Sequence, residues 1–130
     1  MATIEKFEDL EVWQKSRILS KEIYFKSSKG NFAKDFDLRN QARRSSGSVM
    51  DNIAEGFERG GKGEFIQFLG IAKGSNGELR SQLYRAFDND YINKTEFESL
   101  YLKSEEISKM IKGLISYLNK TEIKGLKYKK

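Results

Sequence analysis

The residues able to do chemistry gather on two stretches: Asp51, Asn52 and Glu55 on the first, Ser75, Glu78 and Gln82 on the second. Carboxylates sharing a face can bind metal or exchange protons, but both tasks lack their usual partners here. The chain has no histidine and no cysteine. That removes the commonest general base, thiol nucleophiles, disulfides and the usual zinc sites in one step. A dimetal site in a helical bundle needs Glu-x-x-His twice, so no metal and no other cofactor is expected. Nothing sets a nucleophile or a substrate pocket beside Glu55 or Glu78; the expected class is not an enzyme, and no small-molecule substrate is indicated. The same acids make better sense with Arg43 or Arg44 as their counterion. Arg44, Asp51, Asn52, Glu55, Ser75, Glu78 and Gln82 then form a structural polar network, which would fix helix register or subunit pairing at a cost in stability.

The cations are the second constellation. Arg39 and Arg43 stand one helical turn apart on a shared face, and Arg44 lies about 100° round from Arg43. A guanidinium fork can hold two phosphate oxygens. Lys73, Arg80 and Arg85 add to the set, and the C-terminus carries Lys120, Lys124, Lys127, Lys129 and Lys130 with Tyr128. Those five lysines against Glu122 give a local charge of +4 out of a net +5, so a nearly balanced body carries a basic tail. For the three arginines the competing reading is ion pairing within the protein, and it is favoured because Asp51 and Glu55 lie on the same helix with Glu78 expected nearby. The tail lysines have no obligatory partner, which leaves phosphate or solvent. No helix-turn-helix, RNA-recognition sheet or aromatic stacking platform is evident, so any nucleic-acid binding is expected to follow backbone and shape.

Gly56 to Lys62 nearly spells a phosphate-binding loop, with two glycines flanking four residues and a lysine next. It fails twice: Gly63 stands where Ser or Thr must hold magnesium, and the glycines follow a helix instead of a strand. Gly60-Gly61 reads as a helix stop.

The elements that must position these residues are all helical. Proline is absent, so helices run until glycine or a polar turn breaks them. The first helix is expected from near Asp9 to about Lys29, with Val12, Leu19 and Ile23 on its apolar line and Leu10, Trp13, Ile18 and Tyr24 widening it. Phe32 and Phe36 then pin a short connection, and Asp35 or Asp37 caps the next helix. That second helix covers Leu38 to Phe57, with Leu38, Ala42, Ser45/Ser46, Val49, Ile53 and Phe57 facing a core. The third, about Lys62 to Asp88, repeats at Phe65, Leu69, Ala72, Asn76, Leu79, Leu83 and Ala86. Its Gly70, Gly74 and Gly77 would each cost about 1 kcal/mol against alanine. Close approach to the Ser45-Ser46-Gly47-Ser48 run of the second helix is the expected compensation. Thr95 with Glu98 makes a capping-box pattern for the fourth helix. Its line is Phe97, Leu100, Ser104, Ile107, Ile111, Leu114 and Leu118; Tyr101, Met110, Ile115 and Tyr117 broaden it toward a subunit interface or a two-sided core. The fold class is therefore all-α, an antiparallel up-down-up-down four-helix bundle, as one domain over 1–119 with a basic tail over 120–130. No apolar run approaches a membrane span and no signal-peptide core is visible, so a cytoplasmic protein with no membrane partner is expected.

One stretch also resembles a known family. Gln41-Ala42-Arg43-Arg44 with Ser48-Val49-Met50-Asp51-Asn52-Ile53-Ala54-Glu55-Gly56-Phe57 is similar to the signature of the bacterial 23S rRNA intervening-sequence proteins. Phe7 to Lys15 resembles the family's opening motif, Glu64 to Ser75 with Glu78-Leu79 its third-helix motif, and Glu105-Glu106-Ile107 with Gly113-Leu114 its fourth. The chain departs from the pattern at Val49-Met50-Asp51, where many members carry Ile-Pro-Ser. The resemblance implies a four-helix bundle that forms a homopentameric ring and binds nucleic acid, with no established enzymatic activity. A ring would multiply weak basic surface into appreciable affinity. Two readings follow. In the first the protein presents basic surface, through Arg39, Arg43 and the tail lysines, to structured RNA such as rRNA. In the second it is an oligomeric scaffold or adaptor for another protein, a variant being the reverse-transcriptase accessory proteins that its fold also resembles.

Overall fold

The computed structural model describes residues 4–121, and every element among them is helical. A short 3-10 turn, Phe7–Asp9, leads into α1 (Glu11–Lys26). The short α2 (Gly30–Lys34) precedes three long helices, α3 (Phe36–Glu58), α4 (Lys62–Asp88) and α5 (Lys94–Lys120). The expected second, third and fourth helices are thus α3, α4 and α5. The first helix stops short of Lys29 because its end curls: Ser28 N–H turns back to Phe25 O at 3.2 Å while Ser28 Oγ donates to Tyr24 O at 2.7 Å.

The helix starts follow from side chains that satisfy orphan backbone donors. Asp35 caps α3, its Oδ1 accepting from Leu38 N–H at 3.1 Å and its Oδ2 from Tyr91 Oη at 2.9 Å. The Leu38 N–H first, and then the Tyr91 hydroxyl, hold this carboxyl below its ordinary pKa. The box that opens α5 is formed by Asn93 and Glu96, not by Thr95 and Glu98: Glu96 N–H donates to Asn93 Oδ1 at 2.8 Å and Asn93 N–H to Glu96 Oε1 at 2.9 Å. Asparagine caps at least as well as threonine, so the helix begins at the earlier of the two signals. Of the two phenylalanines expected to pin the α1–α3 connection, Phe32 is buried and stacks on Tyr91 at 5.5 Å, whereas Phe36 is 64% exposed.

Cross-helix contacts fix the arrangement. On α3 and α4, Ser45 meets Glu78, Ser48 meets Ser75, and Phe57 meets Phe65. On α4 and α5, Asn76 meets Ser104 and Phe87 meets Phe97. On α1 and α5, Lys15 meets Glu106 and Lys26 meets Glu96. In each pair, numbers rise on one helix as they fall on the other. The core they enclose is the expected one: the α3 line is buried, and Phe65, Leu69, Ala72, Asn76, Leu79, Leu83 and Ala86 of α4 are buried throughout. Each large aliphatic or aromatic side chain so buried contributes about 1.5–3 kcal/mol. On α5, Met110, Leu114 and Ile115 are half-buried against the same core, and Leu102 is exposed.

The glycines correct an expectation. A Cβ at Gly47, Gly70 or Gly74 would meet nothing within 4 Å, so these residues do not mark a close approach between α3 and α4. Gly70 and Gly74 lie about 100° or more from the core line. The close approach is at Gly56, where a Cβ would stand 2.6 Å from Phe68 Cβ and 3.2 Å from Phe65 Cδ1. Gly60, at φ +87°, makes the turn into α4, a conformation glycine adopts at little cost. The lysine of the near phosphate loop, Lys62, donates to Thr121 O at 2.8 Å and so closes the C-terminal end of α5.

Candidate nucleic-acid interface

Of the α3 arginines, Arg44 is exposed, and Arg39 and Arg43 are held, but not by acids. Arg39 donates through Nη1 to Ala33 O at 3.1 Å and through Nε to Asn40 Oδ1 at 3.2 Å, with its guanidinium 4.8 Å from the Phe36 ring centroid. Arg43 donates through Nε to Ser27 Oγ and through Nη2 to Ser28 Oγ, both at 2.9 Å, and lies 3.9 Å from the centroid of Tyr24. The expected ion pairs with Asp51, Glu55 and Glu78 do not form. Hydroxyls, a carbonyl and ring faces fix the geometry of Arg39 and Arg43 while leaving their charge uncancelled by contact.

The expected polar network is divided. Ser45 Oγ donates to Glu78 Oε1 at 3.1 Å, Ser48 and Ser75 hydroxyls lie 3.0 Å apart, and Asn52 Nδ2 donates to Ser48 Oγ at 2.9 Å. Arg44, Ser45, Ser48, Ser75, Glu78 and Gln82 line a polar recess of about 260 Å³ between α3 and α4. Gln82 is buried there, its Oε1 without a protein partner among the described residues. Asp51 and Glu55 stand apart. Asp51 is exposed, about 100° round the helix from Asn52, and Glu55 pairs with Arg59 one turn on, at 2.9 Å. Among the described residues no three His, Cys, Asp or Glu side chains gather as metal ligands.

The remaining cations fall in three places. Arg80 donates to Ser104 Oγ and Arg85 to Gln41 Oε1, each at 3.3 Å, while Lys73 is exposed on α4. Lys120, assigned to the tail, is the last residue of α5: no breaker precedes Thr121, and a cation suits a helix C-terminus. Lys124, Lys127, Lys129 and Lys130 lie outside the described residues.

A cluster that sequence reasoning missed sits on α1. Ile18 and Tyr24, expected to widen the apolar stripe, are 55% and 59% exposed, and Phe25 is 56% exposed beside them. Arg17, Lys21, Tyr24, Phe25, Lys29 and Met50 border a shallow recess of about 630 Å³. Lys29 Nζ stands 3.8 Å from the Phe25 centroid, and Arg17 leans on Trp13 at 5.8 Å. The signal was present in the numbering: Arg17, Lys21, Tyr24/Phe25 and Lys29 recur at helical spacing. What hid it was that aromatic residues on a helix are core residues more often than not.

Charge is segregated across α1. Its inner edge is joined to α5 by Lys15–Glu106 and Glu22–Lys103 at 2.6 Å and by Lys26–Glu96 at 2.7 Å. The Asn93 N–H and then Lys26 hold the Glu96 carboxyl below its ordinary pKa. Glu22, Glu96 and Glu106 are thereby occupied at the seam, and the outer face with Arg17, Lys21, Lys29 and Arg43 has no carboxylate within ion-pair distance of those four among the described residues.

These features define an all-helical protein with a basic outer face and no gathered metal ligands among the described residues. The chain belongs to the 23S rRNA-intervening sequence protein family, whose sequence model matches residues 8–113. A similar solved structure is that of a protein of unknown function from the S23 ribosomal protein family of Bacteroides thetaiotaomicron. It is 29% identical, with a TM-score of 0.73, covering 80% of this chain and 97% of that one. A search of curated proteins found no match. No helix among the described residues is long and apolar enough to cross a membrane.

Proposed function

We propose that this chain is a non-enzymatic, cytoplasmic, self-assembling up-down-up-down four-helix bundle that presents basic surface to structured RNA, rRNA being the form the family name suggests. The observation that carries this reading is the charge segregation. Glu22, Glu96 and Glu106 pair with lysines across the α1–α5 seam, while Arg17, Lys21, Lys29, Arg39 and Arg43 have no carboxylate within ion-pair distance among the described residues. The tail lysines add a sequence-level +4. Cations without carboxylate partners attract a polyanion chiefly through counterion release. Assembly into a homo-oligomer, a pentamer by family resemblance, would repeat that face and raise avidity. Exposed Leu102 and Ile71, with open space at Gly70 and Gly74, offer apolar and close-packing surface for such contacts.

The second reading is a ring that scaffolds another protein, with the tail serving only to solvate it. Exposed apolar residues on α4 and α5 favour it, since patches of this kind are often protein contacts. Truncation before Lys120, with light scattering to verify assembly, separates the two. Under the first reading the truncated chain loses most of its affinity for a structured rRNA fragment. Under the second, neither chain binds RNA, and capture of a protein partner is unaffected by the tail.

A further inference from the structure

We infer that the α1 face holding Tyr24 and Phe25 is a binding site for unpaired nucleotides, taking bases by stacking and phosphates by Arg17, Lys21 and Lys29. This deepens the nucleic-acid reading and rests on it. Two aromatic rings adjacent in sequence are each more than half exposed on one outer face. Neither belongs to the buried core. Arg43 is fixed against Tyr24 by two serine hydroxyls, so a ready-made aromatic–guanidinium stack already stands there. Bases stack on aromatic side chains and on guanidinium planes alike. Lys29 rests over Phe25 and makes no ion pair within contact distance among the described residues, Glu96 acting on it only at longer range, so its ammonium can turn to a phosphate.

The arrangement selects among polyanions. Within a duplex each base face is already covered by its neighbours, so exposed rings gain nothing from paired RNA. A strand whose bases are splayed gains both stacking and backbone contact. From Arg17 to Lys29 the helix and its turn extend on the order of 18 Å, enough for a few nucleotides. A two-fold pairing of this face with itself is disfavoured, since it would bring a second Arg17, Lys21 and Lys29 against the first set with no acid lining the recess; a ring contact with a different face of the next copy is an outcome of the assembly measurement below.

The test uses the full chain and two probes of the same sequence, a labelled single-stranded RNA of about twelve nucleotides and its duplex. Tyr24→Leu with Phe25→Leu keeps apolar bulk and removes both rings; Tyr24→Phe with Phe25→Tyr keeps the rings. The expected result is that the leucine variant loses single-strand affinity about tenfold or more. Its duplex affinity and its salt dependence stay as in the parent, and the aromatic swap restores single-strand binding. If the leucine variant binds the single strand as the parent does, stacking is overturned while the basic-surface reading stands. If the parent binds neither probe at low salt, the basic-surface reading falls and this inference with it. A change in assembly state of the leucine variant by light scattering would assign the face to contacts between copies, and would overturn the inference as well.

Discussion

The Arg43 guanidinium lies 3.9 Å from the Tyr24 ring centroid, held from the other helix end by Ser27 Oγ and Ser28 Oγ at 2.9 Å each. One side chain of α3 thereby closes the C-terminal turn of α1 and remains cationic. Lysine cannot reproduce this, because it lacks the planar fork. Arg43→Lys should lower stability by about 1 kcal/mol in urea unfolding, with the α1 end more open to amide exchange.

Gly56 and Gly74 should respond to alanine in opposite directions. At Gly56 the new Cβ would stand 2.6 Å from Phe68 Cβ, whose own backbone is fixed in α4. Overpacking of this kind costs about 1–3 kcal/mol. At Gly74 there is open space, and alanine gains helix propensity of about 1 kcal/mol. Chemical denaturation of both variants reads the sign directly.

Asn76 and Ser104 form a buried polar pair: Asn76 Nδ2 donates to Ser104 O and Ser104 Oγ to Asn76 Oδ1, each at 2.7 Å. Ser104→Ala leaves Asn76 Oδ1 unpaired, at an expected cost of about 1–3 kcal/mol. Replacing both with apolar residues should cost less than the two single changes together, a coupling that a double-mutant cycle measures.

Acid sensitivity should reside in part at two helix caps. Asp35 and Glu96 both have folded pKa values below their ordinary 3.8 and 4.5, through backbone N–H groups first and then Tyr91 and Lys26 respectively. For a carboxyl depressed on folding, the contribution is fully present above the unfolded pKa and is lost as pH falls through the folded one. Stability should therefore decline below about pH 4.5, and Asp35→Asn with Glu96→Gln should flatten that decline in urea titrations run across pH.

Much of the fold was legible because burial follows helical period. Every position from Phe65 to Ala86 on the α4 line is buried, including the polar Asn76. The partnership of Asn76 with Ser104 was not legible, since each sits on its own helix's line and the register between helices is a tertiary quantity. The open glycines of α4 were misread for a related reason. Their angular position sets them off the core, and small size alone does not imply close packing, which among the described glycines is realised between helices at Gly56. At the candidate site the shared face of Arg39 and Arg43 was legible from their one-turn spacing, and Arg44 lies apart in the α3–α4 recess, but the partners of Arg39 and Arg43 were not legible. Serine hydroxyls and aromatic rings compete with distant acids when they lie one helix away. Tyr24 and Phe25 were hidden because they follow the buried Ile23 directly, and an aromatic residue beside a core position reads as core although one residue turns it about 100° round the helix.

The most direct test of the account is the salt dependence of binding to a structured rRNA fragment, measured by fluorescence anisotropy on the intact assembly. Contact with about four phosphates should lower affinity about a hundredfold between about 50 and 200 mM salt, on a linear plot of log affinity against log salt. Substituting Arg17 and Lys21 with glutamine should make that slope shallower. Absence of binding at low salt, with the oligomer verified in the same sample, would contradict the account and leave the protein-scaffold reading in its place.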